Sequence, residues 1–180
     1  FTTAQGQHTN AIYGFATMLL SLLSTEKPTH VAVAFDVSRK TFRSEIFPEY
    51  KANRAKTPDE FRSQMSYLHE LVTAFGITTF EVEGFEADDI IALWIQDHPE
   101  DEHMIVSTDS DFYQLMAPNV QQYNGTTDQL VSLEGFIDAK TGKRVIDKKT
   151  KEEKPAPDPA FMLFEKCMRG DTSDNVFSAY

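Results

Sequence analysis

One cysteine, Cys167, stands in the whole chain of 180 residues, so no intramolecular disulfide can form and a reducing, cytoplasmic setting suits the protein. Lying in the apolar run FMLFEKC, its thiol is expected to be a packed core group and not a nucleophile. No stretch of about 18 apolar residues occurs, which leaves no candidate membrane-spanning helix. The opening FTTAQGQHTN has neither the basic nor the apolar region of a secretory signal, and no initiator Met. Low-complexity tracts and internal repeats are missing as well. Positive charge is scarce: 17 Lys and Arg face 28 Asp and Glu, for a formal net charge of -11, which on its own argues against a polyanionic partner.

What is present suffices for one substantial core, with 41% apolar and 12% aromatic residues, and a single domain with a protruding arm is expected. Ile12, Phe15, Leu19, Leu22 and Leu23 recur at helical spacing and predict a helix from about Asn10 to Ser24. HVAVAFD (30–36) reads as a buried strand ending in a carboxylate. Residues 37–57 show no sustained apolar period and read as an exposed arm, mobile when unliganded. Thr57 as N-cap, Pro58 at the first position and Glu60 closing a capping box predict the next helix. Its core face runs from Phe61 to Phe75, and Gly76 ends it. Strands at 77–83 and 103–109 flank a helix opened by GFEADD and running to about Asp97. VQQYN reads as a further strand, FIDAKTGKRVID as a hairpin, and Asp158-Pro159 starts a last helix. The alternation of strand and helix predicts an α/β fold, its central sheet mostly parallel with helices on both faces. In such sheets ligands bind outside the carboxyl ends of the strands.

Carboxylates gather at those ends: Asp36 after the first strand, Glu86, Asp88 and Asp89 after the second, Asp109 and Asp111 after the third, and Asp171 and Asp174 in RGDTSDN. Any one of them has an ordinary explanation as a helix-start or turn residue. Taken together, four segments that put acids on one sheet edge predict a shared cation site, with the side chains converging on one concave pocket. Setting those eight aside leaves 20 acidic against 17 basic residues, so the acidity is local. Hard oxygens without His or Cys partners suit Mg²⁺ or Mn²⁺. Two such ions about 3.5–4 Å apart are a device for in-line phosphodiester hydrolysis. An EF-hand loop beginning at Asp109 is disfavoured by Tyr113 and Gln114 at its fifth and sixth positions. An aspartyl-nucleophile phosphatase would leave most of the other acids without a use.

The arm supplies the complementary charge. Arg39, Lys40, Arg43, Lys51, Arg54 and Lys56 alternate with Phe42, Phe47 and Tyr50, a mixture suited to phosphate contact and base stacking, although a solvated charged loop would have the same composition.

The motifs AVAFD, TFR, PEYKANR, TPDEF, GFEADDIIA, STDSDFYQL and RGDTSDN, with HTNAIYGF before them, occur in an order that resembles the 5′-nuclease domain of the bacterial DNA polymerase I family and the related flap endonucleases, including phage-encoded ones. The resemblance runs the length of the chain. It implies a PIN-like fold and a nuclease acting on DNA with 5′ flaps or 5′ ends and on RNA primers, monomeric, and fused to or working with a DNA polymerase in a bacterial or phage-infected cell. It further implies one ion served by Asp36, Glu86, Asp88, Asp109 and Asp111, a second held by Asp171 and Asp174, and Asp89 in an outer role. Lys51 and Arg54 match positions approaching the scissile phosphate, Tyr50 a stacking position and Arg43 a phosphate contact; Arg39 and Lys40 extend the basic arm. An N-terminal strand with a further metal-binding Asp, and a C-terminal helix-hairpin-helix-like element with a potassium ion, are family features expected in a longer protein. The segment 131–157 departs from the polymerase I pattern. A non-catalytic nucleic-acid-binding fragment and a PIN-like ribonuclease are the alternatives.

Overall fold

The computed structural model describes residues 1–179. Helix α1 (Asn10–Thr25) packs on α4 (Met65–Ala74) and buries Leu19 against the side that carries Leu68 and Val72. The helix read as continuous from Thr57 is broken. A short α3 (Asp59–Arg62) begins with Pro58, not Thr57, at the N-cap and has no side-chain cap bond; the chain then re-forms as α4. At the break lies Gln64, wholly buried. Its Oε1 accepts the N–H groups of Ala11 at 2.9 Å and Ile12 at 3.4 Å, while its Nε2 donates to the Glu60 carbonyl at 2.8 Å. The side chain thus satisfies amides at the start of α1 that have no partner within their own helix. Gly76, at φ +68, ends α4 as expected.

The sheet is in two pieces. β1 (Ala32–Ala34) pairs in parallel with β2 (Thr78–Phe80), and β3 (His103–Val106) pairs in parallel with β4 (Val120–Asn124). β5 (Gln129–Ser132) and β6 (Gly135–Asp138) continue antiparallel from β4. α5 (Ala87–Asp97) touches β1, and its Ile91 and Ile95 cover the cluster of Ile105, Phe112, Met116 and Val120. It therefore ties one piece to the other. The hairpin read over FIDAKTGKRVID has its turn, with Asp138 accepting the N–H groups of Lys140 and Thr141, but only one bridge, Ile137 to Arg144. The longer pairing of its first run is with β5, a strand the sequence pattern did not single out.

The last helix, α6 (Pro159–Arg169), is capped by Asp158, whose Oδ1 accepts the Phe161 N–H at 3.0 Å. Cys167 is exposed, not packed, and so are Phe161, Leu163 and Phe164. The helix meets the turn at Ser110–Leu115, where Lys166 pairs with Asp111 and Met162 is half-buried. Among the described residues no helix is long and apolar enough to cross a membrane.

Candidate metal centre and nucleic-acid face

Short parallel strands feed acidic loops at their carboxyl ends. Asp36, two residues past β1, accepts the Ala87 N–H at 2.7 Å, an orphan donor of the first turn of α5, where the helix dipole favours negative charge. Glu86 is the N-cap of α5, and Asp89 reaches back to accept its N–H at 3.0 Å. The capping explanation therefore applies to part of this cluster. Asp88 is different. It is exposed as a residue, but its carboxyl is crowded by surrounding atoms and faces the charges of Asp109 and Asp36, which push it up to about 6 against the opposing pull of Lys51.

Past β3, Asp109 accepts the Asp111 N–H at 2.9 Å and so shapes the turn that carries both acids. The buried Gln122 of β4 donates to the carbonyls of Ser107 and Asp109, each at 2.8 Å. Asp111 and Asp171 come from segments 60 positions apart and are joined by Lys166, whose ammonium lies 2.5 Å from one and 2.6 Å from the other. That ammonium, together with the Ser173 hydroxyl and N–H, holds the Asp171 carboxyl far below the usual carboxylate range.

The loop bearing Asp171 and Asp174 follows Gly170, whose backbone (φ +71, ψ -166) is open essentially only to glycine. A Cβ there would also run into the carbonyl oxygens of Val176 and Phe177.

The arm is not loose. It contains a short helix, α2 (Phe42–Ile46), entered through reciprocal bonds between Thr41 and Ser44. It is fastened to the Asp171 loop by Lys51 N–H to the Asp174 carbonyl at 2.8 Å, by Asn53 to the Thr172 carbonyl, and by Asn175 back to the Glu49 carbonyl. Phe42 is 38% exposed and Tyr50 half-buried, so neither joins the core. Lys51 takes a left-handed backbone, φ +55, uncommon for a side chain of its kind. Its ammonium meets Glu86 at 2.7 Å and Asp174 at 4.0 Å. Arg54 pairs with Asp174, and Arg43 clamps Asp89 through two bonds of 2.7 and 2.6 Å. The Tyr50 hydroxyl donates to Glu86 at 3.1 Å and to Asp174 at 3.2 Å; burial, then those two charges, keep it protonated far above its ordinary range. Arg39 and Lys40 stay away from the acids: Arg39 donates to the Ala55 carbonyl at 2.9 Å, closing the neck of the arm, and Lys40 lies 3.6 Å from Glu45.

The acids thus gather on one side of the fold but do not share one concavity. Asp36, Asp88 and Asp109 form an uncompensated group. Glu86 and Asp174 are linked through the arm, Asp111 and Asp171 through Lys166. Among the described residues no three stand close enough to enclose a cation, and a cleft of about 520 Å³ lies elsewhere, at the neck of the arm. The donor chemistry still fits a hard divalent ion, because every candidate ligand offers carboxylate oxygen, and burial with the charges of Asp109 and Asp36 raises the Asp88 carboxyl by more than Lys51 lowers it. Lys166, Gln122, Ser173, Asn53 and Asn175 were not among the residues read from the sequence. A Lys in the last turn of a helix that delivers an acidic loop was the available signal for Lys166; the others act through backbone carbonyls or a turn hydroxyl and leave no pattern.

Residues 1–153 match the family described as 5′-3′ exonuclease, N-terminal resolvase-like domain. The chain is 43% identical over 180 residues to DNA polymerase I of Mycobacterium tuberculosis, and 38% identical over 176 residues to that of Bacillus subtilis. These alignments cover 98% and 96% of the chain but 18% of each relative; the chain spans under a fifth of the length of those proteins. Among solved structures, a T5 protein co-crystallised with metal ions superposes with a TM-score of 0.69 at 24% identity, over 92% of this chain and 62% of that one. The bacteriophage T5 flap endonuclease in a pseudo-enzyme-product complex with DNA and metal ions superposes with a TM-score of 0.66 at 23% identity, over 92% and 60%. Both likenesses concern the fold, resolvase-like and PIN-like.

Proposed function

The chain belongs to the 5′-3′ exonuclease family of N-terminal resolvase-like domains, and on that footing we propose that it is a metal-dependent 5′ nuclease hydrolysing phosphodiester bonds in branched or 5′-ended DNA. The observation that carries this reading is the meeting of a cationic arm with an acidic edge: Lys51, Arg54 and Tyr50 lie on Glu86 and Asp174, beside an Asp88 carboxyl that faces the charges of Asp109 and Asp36. Asp36, Glu86, Asp88, Asp109 and Asp111 would hold one Mg²⁺ or Mn²⁺, and Asp171 and Asp174 a second. Bound there, such ions activate water and stabilise the leaving oxygen.

The chain's own residues then have separate tasks. Lys51 and Arg54 exchange a carboxylate partner for the phosphate oxygens of the strand to be cut. Tyr50, held protonated, donates a hydrogen bond at the same rim and offers a ring for stacking. Arg43 orients the start of α5 through Asp89 and has a partly exposed guanidinium for a phosphate. Gln122 fixes the carbonyls of the turn that presents Asp109 and Asp111.

Flap-DNA cleavage in Mg²⁺ beside a binding titration in Ca²⁺, both with the full-length protein, tests this. Asp109→Ala is expected to cost more than about a hundredfold in cleavage, since loss of an outer partner of a ligand already costs about 10–100-fold, and to leave DNA binding in place. Full cleavage by that variant overturns the assignment. Among the described residues the carboxylates are divided by Lys51 on Glu86 and by Lys166 between Asp111 and Asp171, which favours a second reading, a DNA-binding domain without catalysis. Binding by the wild type with no cleavage would establish that alternative.

A further inference from the structure

Two side-chain amides, those of Gln64 and Gln122, are wholly buried among the described residues, and they are used differently. Gln64 is bonded at both ends, through Oε1 to α1 and through Nε2 to the Glu60 carbonyl. Gln122 sits in β4 opposite Ile105 of β3 and Val131 of β5. Its Nε2 donates to the carbonyls of Ser107 and Asp109, each at 2.8 Å, while its Oε1 has no partner among the described residues. Reversing the amide would set Oε1 against both carbonyls, so its orientation is fixed. An acceptor buried without a donor costs stability, and only what Nε2 holds offsets that cost. What it holds is the turn after β3. The same turn is closed by the Ser107 hydroxyl, which accepts the Asp109 N–H at 3.1 Å, and by Asp109 Oδ1, which accepts the Asp111 N–H at 2.9 Å. One Asp109 oxygen is thereby committed to the turn, and a cation that took both would compete with that bond.

We propose that Gln122 is a positioning residue that sets which divalent ion these carboxylates prefer, Mg²⁺ over Ca²⁺. Mg²⁺ demands near-ideal octahedral geometry at short distances, whereas Ca²⁺ accepts more oxygens in flexible arrangements, including both oxygens of one carboxylate. A turn clipped at two carbonyls holds Asp109 and Asp111 in one relation and offers Asp109 to a cation through one oxygen, which suits the smaller ion. A loosened turn lets Asp109 give both oxygens, which suits the larger. This assignment rests on the nuclease reading and deepens it. Being wholly buried, Gln122 acts through the Ser107 and Asp109 carbonyls and not by touching an ion.

The test is calorimetric titration of the full-length protein without DNA, with MgCl₂ and separately with CaCl₂, which gives the ratio of the two dissociation constants for each variant. Gln122→Met keeps the length of the side chain and donates nothing. It should weaken Mg²⁺ binding about tenfold or more, as loss of an outer partner of a ligand does, and leave Ca²⁺ binding unchanged or tighter. Ser107→Ala, in the same turn, should move the ratio in the same direction by less, and it decides the matter if near-ultraviolet circular dichroism shows Gln122→Met to be unfolded. Val120→Ala loosens the packing of the same strand, where Val120 is 1% exposed, without touching either carbonyl, and should keep the wild-type ratio. A wild-type ratio in Gln122→Met, or in Ser107→Ala where the first variant is unfolded, overturns the role of Gln122 and leaves the nuclease reading in place. So does an equal shift in Val120→Ala, which would make the effect one of general loosening. A wild type that binds neither ion overturns the metal-dependent nuclease reading together with this role.

Discussion

Two groups of carboxylates share one side of this molecule and are treated in opposite ways. Asp171 and Asp89 each have a basic side chain in direct contact, and their carboxyls are held below the ordinary range, Asp171 chiefly by Lys166 and Asp89 chiefly by Arg43. Asp88, a few ångströms of chain away from Asp89, is raised to about 6 by crowding and by Asp109 and Asp36. Neighbours in sequence thus differ because one points at a cation supplied by the protein and the other at more negative charge. The compensated acids make the metal-free fold self-consistent. The uncompensated ones are where an external cation gains most.

The strongest way to break this contrast is to remove the loop that delivers the compensated pair. Gly170→Ala places a Cβ against two carbonyl oxygens in a backbone region closed to alanine. A cost of about 3 kcal/mol or more is expected, read as a fall in Tm of roughly 6 °C or more for a domain of this size, with the arm released as judged by proteolysis between Lys51 and Arg54. Unchanged stability would mean that the loop is not clamped as described.

A smaller effect sharpens the other side. In metal-free protein, Asp88→Asn removes a charge that the folded state disfavours. The folded pKa lies above the ordinary 3.8, so the folded state binds more protons between about pH 4 and 6, and its stability falls as pH rises through that window. The variant should therefore be more stable than wild type at pH 7, by about 1 kcal/mol once solvent screening is allowed for, with the gain vanishing near pH 4. Excess Mg²⁺ should reverse the ranking, because the wild type alone keeps the ligand. Chemical denaturation at both pH values, with and without Mg²⁺, measures it.

The smallest effect probes the compensated pair itself. Lys166→Met leaves Asp111 and Asp171 facing each other without a cation. A loss of about 1 kcal/mol is expected at neutral pH. Asp171 has a depressed folded pKa, so the stability it contributes is present above its unfolded value and disappears only as pH falls through the folded one. The difference between variant and wild type should accordingly stay flat from pH 8 to about 4 and shrink below that. Calorimetric titration with Mg²⁺ should show tighter binding to the variant, since no ammonium has to be displaced. Weaker binding would show Lys166 to be a support of the site and not a competitor for it.

Much of this organisation can be read from the chain. α1, α5, the four strands of the two parallel pairs and the Gly76 stop follow from periodicity and turn chemistry, which are local. So does the placement of acids after strands, since a parallel sheet sends its loops to one edge. What escaped reading was decided by partners far away in sequence. The break at Gln64 exists because amides 53 positions earlier need an acceptor, and the arm is ordered because Lys51, Asn53 and Arg54 find the Asp171 loop more than 115 residues later. Apolar composition placed Cys167 in a core, but α6 meets the rest of the fold through the face that carries Lys166, paired with Asp111 and Asp171, and leaves Phe161, Leu163, Phe164 and Cys167 exposed. β5 was missed because Gln129–Ser132 is short and contains only two apolar residues, and its identity comes from pairing on both sides.

Gln64 also determines how the molecule comes apart. A helix end capped by its own neighbours can fray and reseal alone, but the Ala11 amide is held by a side chain that is itself buried at the junction of α3 and α4. Opening that single N–H requires α1 and α4 to separate, so its exchange with solvent deuterium should be slow and should report the same free energy as the deepest amides of α4. A helix start, ordinarily among the first places to lose protection, becomes here a sensor of global unfolding.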